Sequence, residues 1–265
     1  MAEFKVLCLG SQDMVPIKGN DCSHYLINGH ILVDCGTSPV MNLLNAGVDL
    51  GFIDRIIFTH THPDHCVGLA SLLYYLRDVK KFKLPYFEIT GPVGTIDAVR
   101  RALSPAVSGV DVDENMPKVT ELGGGDGSFT VHEKDGEITV RYTEALHAVP
   151  ALCYRFEKNG KVLCFTGDTY PLDKLPAFFA DTDALVHETS FGRPLPGEDE
   201  KTLDDLKRAC GHCSPFDAAN VAAAANAKRV YLTHARNDHE DRVKAFSEKS
   251  DIPVSFLEFG VTFEI

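Results

Sequence analysis

Three imidazoles and a carboxylate fall within six consecutive positions, His60-Thr61-His62-Pro63-Asp64-His65, a density of ligand-type side chains that points to metal binding. The run follows Arg55-Ile56-Ile57-Phe58, β-branched and aromatic as a buried strand requires, and precedes Leu69, Leu72, Leu73 and Leu76 at helical spacing. It therefore reads as a strand-to-helix loop. In extended chain, side chains at i and i+2 share a face, so His60 and His62 can converge on one ion; on a helix they would point about 200° apart. Asp64 and His65, adjacent and beyond Pro63, must project differently, which suits two neighbouring ions rather than one. The alternative, polar residues on an exposed loop, does not account for all four ligand positions being filled.

A pair of ions needs more ligands, and three later residues sit just past the ends of apparent strands. His147 follows the strand ending near Thr143, Asp168 follows Val162 to Phe165, and His234 follows Arg229-Val230-Tyr231-Leu232-Thr233. Carboxyl ends of strands are where α/β sheets present ligands. Taken singly, each could be a surface polar group; the shared placement argues against that.

The pattern His-x-His-x-Asp-His in a strand-loop-helix context resembles the signature of the metallo-β-lactamase superfamily of dinuclear metal hydrolases. The segments His147–Glu157, Thr166-Gly167-Asp168-Thr169, Leu185–Phe191, His212–Ala219 and Leu232-Thr233-His234 are together similar to the ordered motifs of ribonuclease Z and its relatives, from about residue 4 to 236. The resemblance implies an α/β fold, the four-layer αββα sandwich. It also implies that His60, His62 and His147 bind one metal, that Asp64, His65 and His234 bind the other, and that Asp168 bridges them. Asp64 counts with the catalytic residues as well as the ligands. His212 and Glu188 occupy the places of the family's catalytic histidine and the glutamate supporting it, with Cys213-Ser214 and Thr189-Ser190 as departures. For His212 the alternative is a neighbour of a helix cap at Ser214, and His187 reads as a packed supporting residue. His24, His30, His132 and His239 have no site context.

Two adjacent divalent ions lower the pKa of a bridging water, creating a hydroxide nucleophile near neutrality, and clamp the non-bridging oxygens of a phosphodiester. An imidazole that protonates or stabilises the leaving alkoxide lowers the barrier further, the role expected of His212 oriented by Glu188. Imidazole and carboxylate ligation suits Zn2+ without excluding Mn2+, Fe2+ or Co2+. Many bacterial ribonuclease Z proteins insert a long arm that grips transfer RNA between the third-histidine motif and the bridging aspartate. Here only residues 152–165 lie there, and the irregular stretch 104–128 is hardly basic. A small phosphodiester, above all a cyclic nucleotide, is therefore expected; the alternatives are a ribonuclease Z-type tRNA 3′-processing endonuclease and a hydrolase of another small ester such as a sulfatase or lactonase. A non-catalytic binding module should have lost a ligand, and none of the seven is missing. By analogy with the family the protein is expected to be a homodimer.

Composition agrees with this reading. The chain has 265 residues, 44% of them apolar, enough for a large core in one domain spanning 1–265. A net charge of −12 argues against gripping long nucleic acid through phosphate contacts alone, although RNA remains an alternative partner. No charged leader with an apolar stretch opens the sequence and no run nears the ~18 apolar residues of a membrane span, so no membrane partner and a cytoplasmic location are expected. Eight cysteines are scattered along the chain, several of them inside apparent core strands, and read as reduced, buried small hydrophobes. Cys210-Gly211-His212-Cys213 has the spacing of a metal knuckle but lacks a second pair.

The elements that must position these residues are legible in outline. Strands are expected at Phe4–Leu9, His24–Ile27 and Ile31–Asp34, with Asn28-Gly29 as a two-residue hairpin turn. Asp34-Cys35-Gly36 ends a strand and either supports the site or is a plain turn. Residues 66–79 and 92–103 read as helices, the second opening after Gly91-Pro92, with a strand at Tyr86–Ile89 between them. Gly123-Gly124-Gly125-Asp126-Gly127 is too irregular for a phosphate-cradling loop and reads as a flexible connection. Strands return at 129–131, 138–142, 152–156 and 162–165, the last two joined through Asn159-Gly160. Two packed sheets flanked by helices follow.

Overall fold

The computed structural model describes residues 2–104, 112–193, 197 and 199–265. The chain divides into two compact units, one made of Lys5–Gly123 with Glu258–Phe263, the other built mainly from Gly124–Leu257. Each carries one seven-stranded sheet.

In the first unit, β1 (Lys5–Gly10), β2 (His24–Ile27), β3 (Ile31–Val33), β4 (Arg55–Ile57), β5 (Glu88–Pro92) and β6 (Lys118–Leu122) lie in sequence order, with β14 (Thr262–Glu264) beside β1. Asn28 and Gly29 take φ of 51° and 78°, the left-handed pair that a tight hairpin between β2 and β3 demands. From β3 onward the strands run parallel, and Val33 pairs with Ile57 at the carboxyl ends of β3 and β4. That register sets the next residues of both strands, Asp34 and Phe58, side by side. Helices α1 (Pro39–Asn45), α2 (Pro63–Cys66), α3 (Leu69–Tyr74) and α4 (Thr95–Ala102) and the short α5 (Val112–Asn115) complete the unit. Leu43, Leu69, Leu72, Leu73 and Leu76 bury their side chains in one core with Leu32, Ile56 and Ile89 of the sheet.

In the second unit, β7 (Gly127–Glu133), β8 (Gly136–Glu144), β9 (Leu152–Lys158) and β10 (Lys161–Phe165) form an antiparallel meander, and β11 (Ala184–Glu188), β12 (Val230–Thr233) and β13 (Val254–Phe256) extend it in parallel. Helices α6 (Leu175–Phe178), α7 (Glu200–Cys210), α8 (Pro215–Ala224) and α9 (His239–Ser247) accompany it. Phe165 pairs with Val186 and Glu188 with Thr233, so the carboxyl ends of β10, β11 and β12 share one edge. The loop between β8 and β9 reaches the same edge, because Phe165 pairs with Tyr154 near the start of β9. One edge thus receives His147, Asp168, Glu188 and His234.

Four expectations need correction. The helix expected over 66–79 starts earlier and is broken: Pro63 opens α2 inside the ligand run, Gly68 separates it from α3, and Tyr75–Val79 forms a π-helical turn. A Cβ on Gly68 would stand 2.3 Å from Pro39 and 2.6 Å from the Cys35 carbonyl, so this break is where the chain crosses its neighbour. Gly91-Pro92 do not start a helix; they end β5, and α4 begins after Gly94, whose φ of 101° only glycine takes readily. The strand expected at Tyr86–Ile89 lies at Glu88–Pro92, after a 3-10 turn at Leu84–Tyr86. Finally, 104–128 is not irregular throughout, since it holds α5, β6 and the start of β7; residues 105–111 lie outside the described residues.

Candidate metal centre

In the first unit, the loop after β4 carries His60 and His62, and α2 carries Asp64 and His65 in its first turn, with His62 at the N-cap and Pro63 at N1. The His60 and His62 rings are 4.9 Å apart, those of His60 and His65 4.0 Å. His60, Asp64 and His65 are buried. The Nε2 of His65 lies 3.5 Å from Asp64 Oδ2.

Asp34, which the β3–β4 register brings beside this loop, fixes two of the imidazoles. Its Oδ1 accepts from the Thr59 amide at 2.7 Å, and its Oδ2 accepts from His65 Nδ1 and from the Thr59 hydroxyl, both at 2.8 Å. The Thr59 hydroxyl proton is thereby spent, so Thr59 Oγ1 must accept from His60 Nδ1, 3.1 Å away. Both rings then carry their proton on Nδ1 and a lone pair on Nε2, the tautomer that metal-binding histidines adopt when a carboxylate holds them from behind. Asp34 is thus a supporting residue. His24, read as having no site context, is fully buried here, with Nδ1 donating to the Cys22 carbonyl at 2.8 Å and its ring against Gly36, where a Cβ would stand only 2.4 Å away. Burial holds its pKa down even though the nearby Asp21 carboxylate acts in the opposite direction.

In the second unit, His147 Nδ1 donates to the Gly211 carbonyl at 3.0 Å, again leaving the lone pair on Nε2, which stands 3.9 Å from Asp168 Oδ2. His234 Nε2 lies 3.3 Å from the same oxygen, and its Nδ1 pairs with Ser190 Oγ at 2.6 Å. Two ligands each 2.0–2.1 Å from a tetrahedral ion stand about 3.3 Å apart, so the His234–Asp168 spacing fits shared coordination, while His147 stands wider, at 3.9 Å. His147, Asp168 and His212 offer ligand atoms within 4.8 Å of one another, as do Glu188, His212 and His234. The first is a His/Asp cluster with nitrogen and oxygen donors that fits a metal site, whereas in the second the Glu188 carboxylate is already taken up by hydrogen bonds from His212 and backbone amides.

Glu188 is fully buried and holds His212. Its Oε1 accepts from His212 Nδ1 at 3.2 Å, from the Cys213 amide at 2.8 Å and from the Thr169 amide at 3.3 Å, while Oε2 accepts from the Ser190 amide at 2.8 Å. Burial alone would push the carboxyl up; the charge and hydrogen bond of His212 outweigh it and hold Glu188 below the usual carboxylate range. His212 Nδ1 is therefore held by Glu188. The cap at Ser214 belongs to α8, where Ser214 and Asp217 form a reciprocal capping box that does not use His212. His187 is buried and donates from Nδ1 to the Glu188 carbonyl at 2.7 Å.

The departures at 189–190 and 213–214 have local roles: Ser190 backs His234, and the buried Cys213 thiol donates to the Thr169 carbonyl at 3.0 Å. Cys210 is exposed, so the two cysteines of the apparent knuckle serve different surroundings. The supports missed in the sequence are Thr59, Ser190 and Gly211. Thr59 and Gly211 stand next to His60 and His212 in the chain, but adjacency alone does not mark a support, and Ser190 flanks no candidate residue.

The family described as the Beta-lactamase superfamily domain matches residues 30–235. The ribonuclease Z of Halalkalibacterium halodurans is 27% identical over 265 residues, covering 83% of this chain and 82% of that one. Among solved structures, the metallo-β-lactamase fold protein YhfI of Bacillus subtilis superposes with a TM-score of 0.81 at 20% identity, covering all of both chains. The short form of human tRNase Z gives 0.75 at 23% identity, over 98% of this chain and 99% of that one. A diphosphatase of the PhnP family gives 0.70 at 16%, over 99% and 97%. These likenesses bear out the fold expected from the ligand signature, the α/β metallo-β-lactamase sandwich. The chain belongs to the β-lactamase superfamily, as a metal-dependent hydrolase with ribonuclease Z and ribonuclease BN among its homologues.

Proposed function

We propose that this protein is a dinuclear metal-dependent phosphodiesterase acting on a small phosphodiester, a cyclic nucleotide above all. His60, His62 and His147 would hold one ion and Asp64, His65 and His234 a second, with Asp168 shared by both; the family's ligand order supports this division. The donor set favours Zn2+. Bound divalent ions supply an activated water near neutral pH and positive charge for the phosphoryl oxygens. The chain's own contribution is positional: Asp34 and the Gly211 carbonyl keep their imidazoles in the ligating tautomer, and Glu188 fixes His212 by its Nδ1. His212 then carries a proton to the leaving oxygen on its other nitrogen. The family match runs through the sequences of both units, which supports one hydrolase domain.

The observation that carries the small substrate is the direct β9–β10 hairpin. Asn159 and Gly160, at φ 47° and 79°, turn the chain in two residues, so His147 and Asp168 are joined without an arm. Net charge −12 points the same way. The second reading, tRNA 3′ processing, is favoured by the human tRNase Z likeness over nearly the whole chain. Hydrolysis of a panel of cyclic nucleotides against a transfer-RNA precursor by the zinc-loaded protein separates the two: turnover of the precursor alone would overturn the small-substrate reading. A homodimer belongs to the same proposal, on family analogy, with light scattering at twice 29.1 kDa as its check. No helix among the described residues is long and apolar enough to cross a membrane. A cytoplasmic location rests on the cysteine usage and is checked by fractionation.

A further inference from the structure

Beside the His147–Asp168–His212 cluster stands a cation that the chemistry above does not use. Tyr170, two residues past Asp168, donates its backbone N–H to the Leu146 carbonyl at 3.0 Å, next to His147. Its hydroxyl donates to the Asp204 carboxylate, 3.0 Å from both oxygens, which fixes the ring against α7. The Arg208 guanidinium lies over that ring, 5.2 Å from the centroid. Arg208 is exposed, and among the described residues no carboxylate lies within ion-pairing distance of it, while Asp204 is taken by Tyr170 and stands 3.8 Å from Lys207 Nζ. Arg208 precedes Gly211 by three residues, about 4.5 Å along the helix axis, and it is the Gly211 carbonyl that holds His147.

We propose that Arg208, seated on Tyr170, is a specificity-determining residue that engages a phosphate of the substrate at the rim of this cluster. The aromatic face fixes the guanidinium and limits its rotamers, and although the Tyr170 hydroxyl takes part of the fork, the side chain is exposed and keeps further N–H donors for a ligand. A fork of that kind matches phosphate oxygens bidentately. On a chain this acidic, an arginine without a carboxylate partner is a place where an anion is drawn in. Tyr170 and Asp204 act through Arg208 and are positioning residues.

The inference rests on the phosphodiesterase reading, so its test has one arm free of catalysis. On zinc-loaded protein, Arg208→Ala should raise KM for the dinucleotide ApA about tenfold with a much smaller change in kcat, and should weaken equilibrium binding of AMP, read by calorimetry, by a similar factor. Arg208→Lys should recover only part of the loss, since an ammonium lacks the fork. Zinc content and melting temperature should match the parent. If the parent cleaves no phosphodiester, the functional reading fails, and AMP binding alone decides the role of Arg208. AMP affinity within twofold of the parent in Arg208→Ala would overturn the inference. So would loss of zinc or a lowered melting temperature that accounts for the change, because the arginine would then be a staple between α7 and the Asp168 loop.

Discussion

His147 Nδ1 and the Gly211 carbonyl oxygen, 64 residues apart in sequence, lie 3.0 Å from each other. Gly211 ends α7 with φ 71°, and its own amide donates back to the Lys207 carbonyl at 2.8 Å. A Cβ there would stand 2.5 Å from His147 Cα and 2.6 Å from the Leu146 carbonyl. A helix terminus thus serves as the backing of a metal-ligand candidate.

Gly211→Ala should therefore do more than strain the left-handed cap, which alone costs about 1–2 kcal/mol. The added methyl displaces the 146–147 backbone, so the variant should melt lower and bind zinc less tightly. Thermal melts with and without zinc check this: the parent should gain more from zinc than the variant. Equal gains would separate Gly211 from ligation.

Asp34→Asn tests the shared support of His60 and His65. Both carboxylate oxygens accept hydrogen bonds, and an amide nitrogen in either place would face a donor. Loss of such a partner weakens metal affinity by roughly 10–100-fold in comparable sites. Competition with a chromophoric chelator should show that loss, and an unchanged affinity would mean the rings orient without Asp34.

His212→Ala should keep its metals but lower kcat on an alkyl phosphodiester by ~10²–10⁴-fold, the worth of general acid catalysis. p-Nitrophenolate departs without a proton, so the loss on bis(p-nitrophenyl) phosphate should be clearly smaller. Equal losses on both substrates would reassign His212 to the phosphoryl oxygens.

Thiol chemistry offers a check that owes nothing to metal. Burial pushes Cys8 and Cys164 up to about 12 and raises Cys35, Cys153 and Cys213 as well; burial, with the Asp21 charge, takes Cys22 to about 12, and burial takes Cys66 to about 11. A raised pKa keeps these groups protonated between pH 7 and 9, and only the thiolate reacts. Cys210 is exposed. Ellman's reagent at pH 8 should therefore find one fast thiol, absent in Cys210→Ser; several fast thiols would show that the buried cysteines open readily.

The ligand signature was legible because its spacing is a property of local chain: strand, loop and helix start all fall within twenty residues of His60. The hairpins at Asn28-Gly29 and Asn159-Gly160 were legible for the same reason, since both residues of each turn must take positive φ. Asp34 was half-legible, as its strand end was visible but its partners depend on the β3–β4 register, which no local pattern encodes. Gly211 and Ser190 were invisible as supports, because each reaches a histidine through a contact that exists only once α7, β11 and β12 have packed. Gly91-Pro92 misled for the opposite reason: a local helix-start signal was overridden by the pairing of Gly91 with Glu121 and Pro92 with Leu122 in the sheet.

The central claim is a two-ion centre bridged by Asp168, and elemental analysis of the purified protein after zinc loading and removal of excess metal tests it most directly. Seven ligand-type residues are too many for one four-coordinate ion, so about two zinc per chain are predicted for the parent. Asp168→Ala should fall well below that count and lose its activity. One zinc per chain in the parent, or two zinc with full activity in Asp168→Ala, would contradict the account.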